Sequence, residues 1–458
     1  MTPLYEASGL APGARLAGEE SRTYVLRDRL ATGGQGEVWR LEQEDLLCKV
    51  CFDGPEAVRR RLRDLQGAPL ADLPVVGPSE LLAAPASGYV MPLVRDSMPL
   101  AALLDPPRES GRLAEWWAAT GGSRRRLHLL ARLAGILATL HSRGFVYGDL
   151  SPANVFVSAS VQHGAAWLVD PDNIRPISRA AVNPAWTPAY AAPEVARGVS
   201  AHTPAADAYS LALVAFHVLT LIHPYRGALV QSGDPAVVEP QLQRGELPWI
   251  DDPEDRRNAT TLGLPRDAVL SRRLIRLFGA MFGSGRDRPG ERPTARDLGM
   301  ALEWAAYDTV RCAGCAATYQ SRQPACTNCA APRPAGLRAM LWLLERPDGE
   351  LMPASAPQPV LSLAPGDSRH IDEAVLLGER PSWQERPLVD CSFDGAVLRL
   401  GRCDGWPLEL HEVGQPTSRP VSDRYELPCP RGSTPAAGLL FEVPGGWRRL
   451  DFELAASP

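Results

Sequence analysis

Apolar residues recur at helical spacing in the stripe Leu127, Leu130, Leu133, Ile136, Leu137 and Leu140, which predicts an amphipathic helix ending at His141-Ser142-Arg143-Gly144. A short loop and a hydrophobic β-run, Val155-Phe156-Val157, follow it. Upstream, from Tyr24, the pattern reads strand, glycine turn, strand, strand. Asp53 then stands as an N-cap and Pro55 as a first-turn residue of a helix whose apolar stripe is Val58, Leu62 and Leu65. Tyr89 to Val94 reads as a further strand, and Leu211 to Ile222 as a strongly apolar helix within a longer run of helices and loops that ends near Trp304. After Pro332-Arg333-Pro334 the pattern changes to short alternations (Ala339 to Leu344, Val360 to Leu363, Ala396 to Leu400, Leu439 to Val443) cut by Pro and Gly, as in a small β-sandwich or barrel. The expected class is α+β, with a β-rich start, a helical middle and an all-β end. Residues 1–21, rich in Gly, Ala and Pro without periodicity, are expected to be a flexible lead-in.

A length of 458 residues exceeds one ordinary core and implies two or three domains. The formal net charge of -5 exerts no global pull on nucleic acid, and the arginine triplets Arg59 to Arg61 and Arg124 to Arg126 read as solvated helix faces. Neither a signal peptide nor an apolar run long enough to cross a membrane is expected, which points to the cytoplasm. Of nine cysteines, Cys312, Cys315, Cys326 and Cys329 form two CxxC pairs ten residues apart, the spacing of a zinc ribbon in a reducing compartment. Cys48, Cys51, Cys391, Cys403 and Cys429 lack such spacing and read as buried packing residues.

The chemistry concentrates in Phe145-Val146-Tyr147-Gly148-Asp149-Leu150-Ser151-Pro152-Ala153-Asn154. A carboxylate and a carboxamide five residues apart can orient a hydroxyl, accept its proton and ligate a divalent cation on a phosphate tail. Lys49 is the only lysine in the chain. Where every other long basic residue is a planar arginine fork, a retained ammonium suggests a need for a compact point charge.

These residues and their neighbours resemble the protein kinases, with five motifs in that family's order. The first is Ala31-Thr32-Gly33-Gly34-Gln35-Gly36-Glu37-Val38, followed by Leu46-Leu47-Cys48-Lys49 and the Asp149 loop; Leu168-Val169-Asp170 and Ala192-Pro193-Glu194 complete the set. The resemblance spans residues 22–307 and implies a bilobal kinase-like domain, followed by a zinc ribbon (308–335) and a β-sandwich-like domain (336–458). It implies ATP and Mg2+ as well as zinc. Gly33, Gly34 and Gly36 (with Ala31 in place of the first glycine) would cover the phosphates, Val38, Met91 and Leu93 would lie at the adenine, and Lys49 would grip the α/β-phosphates. Asp149 would be catalytic and Asn154 and Asp170 would hold magnesium. Glu194 would pair with Arg292, and Asp207 would anchor the catalytic loop. His141 reads as a helix-end residue.

The departures are specific. Tyr147-Gly148 replaces the usual His-Arg, so activity should not depend on an activation-segment phosphate despite Ser178 and Thr187. Ser151 replaces a lysine, and Asp172 replaces a glycine, either stiffening the turn or adding a ligand oxygen. Only Glu56 and Asp64 are available as the helix partner of Lys49, and neither is decisively placed. The variety resembled is the divergent bacterial serine/threonine kinase with a zinc ribbon, whose implied partners are a protein substrate, a PP2C-type phosphatase and a von Willebrand A-type protein. Two alternatives remain at this point: a pseudokinase scaffold recruiting partners through its ribbon and β-domain, and a kinase of small molecules.

Overall fold

The computed structural model describes residues 9–62, 65, 68–109, 111–179, 186–345, 351–377, 383–403, 409–412, 418–420, 424–429, 437–443 and 446–455. The chain begins with a six-stranded antiparallel sheet. Its spatial order is Arg15–Ala17, Thr23–Thr32, Gly36–Leu41, Leu46–Cys51, Gly88–Pro92 and Glu80–Leu81. Side chains alternate between its two faces. Leu26, Trp39, Leu41, Cys48, Val50 and Val90 share one core, while Val38, Leu47, Cys51, Tyr89 and Met91 turn to the other side against helix Pro55–Leu62. Residues 15–17 correct the expectation of a flexible lead-in over residues 1–21: Leu16 is buried and its strand pairs with residues 23–25. A single apolar residue among Gly, Ala and Pro carries too little periodicity to announce an edge strand.

The middle of the chain is helical. Helix Pro204–Thr220 is buried almost all round and forms its centre, started by the Thr203 side chain accepting from the Ala206 amide and by proline in the first turn. Helices Gly122–Ser142, Arg272–Phe282 and Ala295–Tyr307 pack around it, the last opened by a reciprocal capping box between Thr294 and Asp297. The arginine triplet at 124–126 is not the solvated face expected of it. Arg126 is fully buried with its guanidinium over Trp117 (3.9 Å) and Trp116 (5.0 Å), and Arg125 bonds the carbonyls of Thr120 and Ser158. Planar guanidinium groups are accommodated there because they stack on rings and saturate backbone acceptors.

Strands Thr309–Arg311 and Thr318–Gln320 form a hairpin that carries the four clustered cysteines. Arg124 joins this hairpin to the helical region, donating to Thr309 Oγ1 (2.7 Å) and O (2.9 Å). Two antiparallel sheets follow, one built on the long strands Gly336–Glu345 and Gly446–Ala455, the other on Asp367–Asp372, Pro387–Phe393, Val397–Arg402 and Arg424–Pro428. Leu337, Val360, Leu439 and Phe452 of the first meet Ile371, Val389, Phe393 and Leu398 of the second in one apolar core, a sandwich. Among the described residues no helix is long and apolar enough to cross a membrane. Cys48, Cys51, Cys391 and Cys429 are buried as expected, whereas Cys403 is only half-buried.

Candidate active site

The loop after helix Gly122–Ser142 is held from below by Asp207. Its Oδ2 accepts from the Tyr147 amide (2.7 Å) and its Oδ1 from the Gly148 amide (2.9 Å), and His141 Nε2 lies 3.0 Å away. Burial tends to raise the Asp207 pKa, yet His141 and the two amides outweigh it and keep the carboxyl below its ordinary range. His141 is therefore a buttress, as its position at a helix end suggested. Gly148 has φ 88°, and a Cβ there would lie 3.0 Å from the Asn173 carbonyl, which suits glycine better than the usual arginine. Tyr147 is buried, and its hydroxyl donates to the Val169 carbonyl, tying the loop to the residue before Asp170.

Asp149 sits at the mouth of this loop with both oxygens engaged. Oδ2 accepts from Asn154 Nδ2 (3.1 Å), which also bonds the Asp149 carbonyl (2.9 Å). Oδ1 accepts from both the amide and the hydroxyl of Thr187 (2.7 Å each). Burial pushes the Asp149 pKa above its ordinary value, partly opposed by Thr187 and Asn154. Because Asn154 spends its amide nitrogen on Asp149, its amide oxygen is the atom available to a cation. The Val169 amide donates to the Asn154 carbonyl (3.0 Å), bringing Asp170 to the same end of the cleft. An acid and an amide oxygen so placed suit magnesium, a hard cation that takes oxygen ligands.

Lys49 is buried on the cleft side of its strand, opposite Val38 on one neighbour and Tyr89 on the other. Its Nζ donates to Asp170 Oδ1 (2.5 Å) and Asp172 Oδ2 (2.8 Å), and stands 6.0 Å from the Tyr89 ring centre. Burial opposes its charge, but the two carboxylates prevail and its pKa lies above the ordinary lysine value. Glu56 is not its partner: that side chain is 82% exposed and pairs with Arg59. Asp64 lies outside the described residues.

Val38 and Met91 belong to one apolar cluster with Leu47, Tyr89, Trp167 and Val169. Leu93 is half-buried and its amide bonds the Asp45 carbonyl (2.8 Å). Ala31 is exposed and faces Val38 across the hairpin. In the glycine turn, the Gly33 amide donates to the Gly36 carbonyl (2.9 Å). Gly36 is demanded by packing, since a Cβ there would lie 2.3 Å from the Val50 carbonyl; at Gly33 it would meet open space.

Glu194 and Arg292 form the expected bidentate pair (2.7 and 2.8 Å), with the guanidinium also bonding the carbonyls of Gly285, Ala205 and Arg286. Tyr190 bonds His217 Nδ1 (2.8 Å), and His223 Nε2 lies 2.8 Å from the Ala189 carbonyl. Burial pushes these histidines down to about 4 and about 3, so they hold the segment as neutral rings. The four ribbon sulfurs lie within 4.8 Å of one another, with Cys312–Cys329 at 3.5 Å and Cys315–Cys326 at 3.7 Å. Four thiolates at about 2.3 Å from one centre would be separated by about this much. The amides of Gly314 and Asn328 point at Cys312 and Cys326 (3.3 and 3.4 Å), as befits metal-bound sulfur.

Sequence reasoning missed Thr187 as a partner of Asp149, Tyr147 as a tie between the two loops, and Tyr89 beneath the lysine. It weighed Asp172 for the metal and not for Lys49. For Thr187 the only signal was its place five residues before Ala192-Pro193-Glu194.

Residues 109–300 match the protein kinase domain family. Serine/threonine-protein kinase PknA of Mycobacterium tuberculosis is 24% identical over 412 residues, covering 80% of this chain and 91% of that one. The DNA damage-responsive serine/threonine-protein kinase RqkA of Deinococcus radiodurans is 30% identical over 318 residues, 62% of this chain and 44% of that one. Serine/threonine-protein kinase pkn2 of Myxococcus xanthus is 37% identical over 113 residues, 23% of this chain and 13% of the myxococcal one. Residues 109–300 therefore carry a protein kinase domain, and the chain is similar to bacterial serine/threonine-protein kinases.

Proposed function

We propose that the chain transfers the γ-phosphoryl group of ATP, in line, to a serine or threonine hydroxyl of a protein substrate. The supporting observation is Asp149, held between Asn154 and Thr187 in the cleft that Lys49 and Asp170 also enter. In this reading Asp149 orients the incoming hydroxyl and accepts its proton; its burial-raised pKa suits a base. Lys49 releases Asp170 to grip the α/β-phosphates, Gly33, Gly34 and Gly36 cover them, and Val38 and Met91 flank the base. Asn154 and Asp170 hold magnesium, which when bound offsets the charge of the phosphate oxygens. Cys312, Cys315, Cys326 and Cys329 hold structural zinc. Resemblance makes a PP2C-type phosphatase and a von Willebrand A-type protein the partners to test, in the cytoplasm.

The scaffold alternative is not favoured, because Lys49, Asp149, Asn154 and Asp170 are retained and gathered at one cleft. Purified full chain with radiolabelled ATP and magnesium is expected to label itself or a generic protein substrate, and Asp149→Asn to abolish the label. Nucleotide binding without transfer would return the scaffold reading. Transfer to small metabolites alone would return the small-molecule kinase.

A further inference from the structure

In kinases the counter-charge of the strand lysine comes from a glutamate of the neighbouring helix, yet here the helix acid Glu56 points outward to Arg59. The helix instead brings a positive charge inward. Arg61 is only 20% exposed on its side chain; it pairs with Asp53 through Nη1, while its Nε and Nη2 are buried without hydrogen-bond partners. Helix Pro55–Leu62 lies against the short Pro171–Asn173 turn that presents Asp172. Asp172 is 0% exposed, its Oδ2 accepts from Lys49 at 2.8 Å, and its buried Oδ1 accepts no hydrogen bond of normal geometry. Burial works against the Arg61 charge, and the Asp172 carboxylate is the largest influence restoring it.

Resting on the kinase reading, we propose that Asp172 is the resident partner of Lys49, replacing the helix carboxylate, and that Arg61 is the helix's contribution to holding Asp172 in place. The division of labour follows from geometry. Two carboxylates now share one ammonium, but only Asp170 stands next to the Asn154 end of the cleft and is part-exposed, at 30% of its side chain. Asp170 can leave for the metal. Asp172, sealed under the helix, stays and keeps the lysine aimed at the phosphates. A buried carboxylate whose second oxygen makes no hydrogen bond of normal geometry would otherwise be costly; the Arg61 charge, together with the Tyr89 hydroxyl beside the carboxylate, offsets that cost. Asp172 is thus a positioning residue, acting on the nucleotide through Lys49.

The single lysine makes the test direct, since full chain labelled with 15N-lysine shows one side-chain ammonium signal. Asp172→Asn is expected to shift that signal in the nucleotide-free protein and to raise KM for ATP about tenfold. Asp170→Asn should abolish transfer and, because Asp170 also bonds the lysine, shift the signal of the nucleotide-free protein too; with ATP and magnesium bound, when Asp170 has left for the metal, only Asp172→Asn and Arg61→Gln should still displace the signal. Arg61→Gln should move the signal in the same direction as Asp172→Asn, add nothing in the double variant, and keep the test open should Asp172→Asn not fold. Glu56→Gln is expected to change neither readout. A wild-type signal and KM in Asp172→Asn, equal effects of the two aspartate variants on the signal of the ATP- and magnesium-bound protein, or a loss with Glu56→Gln would each overturn the proposal. A wild-type chain that neither binds ATP nor transfers phosphate would overturn the kinase reading instead, while the nucleotide-free lysine signal would still report on Asp172.

Discussion

Thr187 makes two bonds to one oxygen of Asp149, and only one of them depends on its side chain. Thr187→Ala should keep the backbone bond but free the carboxylate to rotate, lowering kcat about tenfold with KM for ATP little changed, because a small misplacement of a base is costly. Thr187→Ser, which keeps the hydroxyl, should restore most of the rate in the same steady-state assay. A phosphate on Thr187 would remove the donated proton and set negative charge against Asp149. That fits the expectation that this segment is not switched by phosphorylation there, and the absence of the usual arginine at Gly148 agrees.

Between elements, helices Gly122–Ser142 and Ala295–Tyr307 enclose a charge cluster with the β-domain. Arg132 Nη2 lies 3.6 Å from Glu303 Oε1 and 3.7 Å from Asp372 Oδ2; His128 Nδ1 lies 3.8 Å from Glu303, and its ring meets Tyr307 edge-on. Glu303 is fully buried and neither oxygen makes a hydrogen bond. Burial pushes its carboxyl up to about 7, against the pull of Arg132. The sign follows from proton counting. Between the ordinary carboxyl range near 4.5 and about 7 the folded state holds a proton that the unfolded chain has lost, so the Glu303 contribution to stability is full at low pH and is lost as pH rises toward 7. Glu303→Gln removes that loss. Relative to wild type, its melting temperature should be higher at pH 8 than at pH 5.5; a difference independent of pH would show that Glu303 does not titrate in this range.

At the scale of the molecule, the ribbon hairpin stands between two cores, the helical one and that of the β-sandwich. Arg124 ties it to the first, and Arg369, bonding the carbonyls of Tyr307, Thr309 and Ser362, ties it to the second. The ribbon's own apolar cluster is small, centred on Val310, Cys312, Tyr319 and Cys326, too little to fold without a metal. One zinc per chain is therefore expected by elemental analysis, and Cys312→Ser should lose it. Chelation should lower the melting temperature, because the contacts that Arg124 and Arg369 make with Thr309 of the hairpin would lose their ordered frame, while Tyr307 and the Arg132–Asp372 pair still join the helical and sandwich cores directly.

Local pattern alone announced the helix ending at Ser142, the glycine hairpin, the paired cysteines and the β-rich end, because helical stripes, strand alternation and turn residues are properties of neighbours in sequence. Motif spacing also singled out Lys49, Asp149, Asn154, Asp170, Glu194 and Arg292. It could not say which acid holds the lysine: Lys49 and Asp172 are 123 positions apart, and which carboxylate arrives depends on how the turn at 171–173 packs under a helix. The burial of Arg126 between tryptophans and the Thr187 bond to Asp149 are likewise long-range or side-chain choices. They rest on desolvation and hydrogen-bond geometry, which exist only once distant segments have come together.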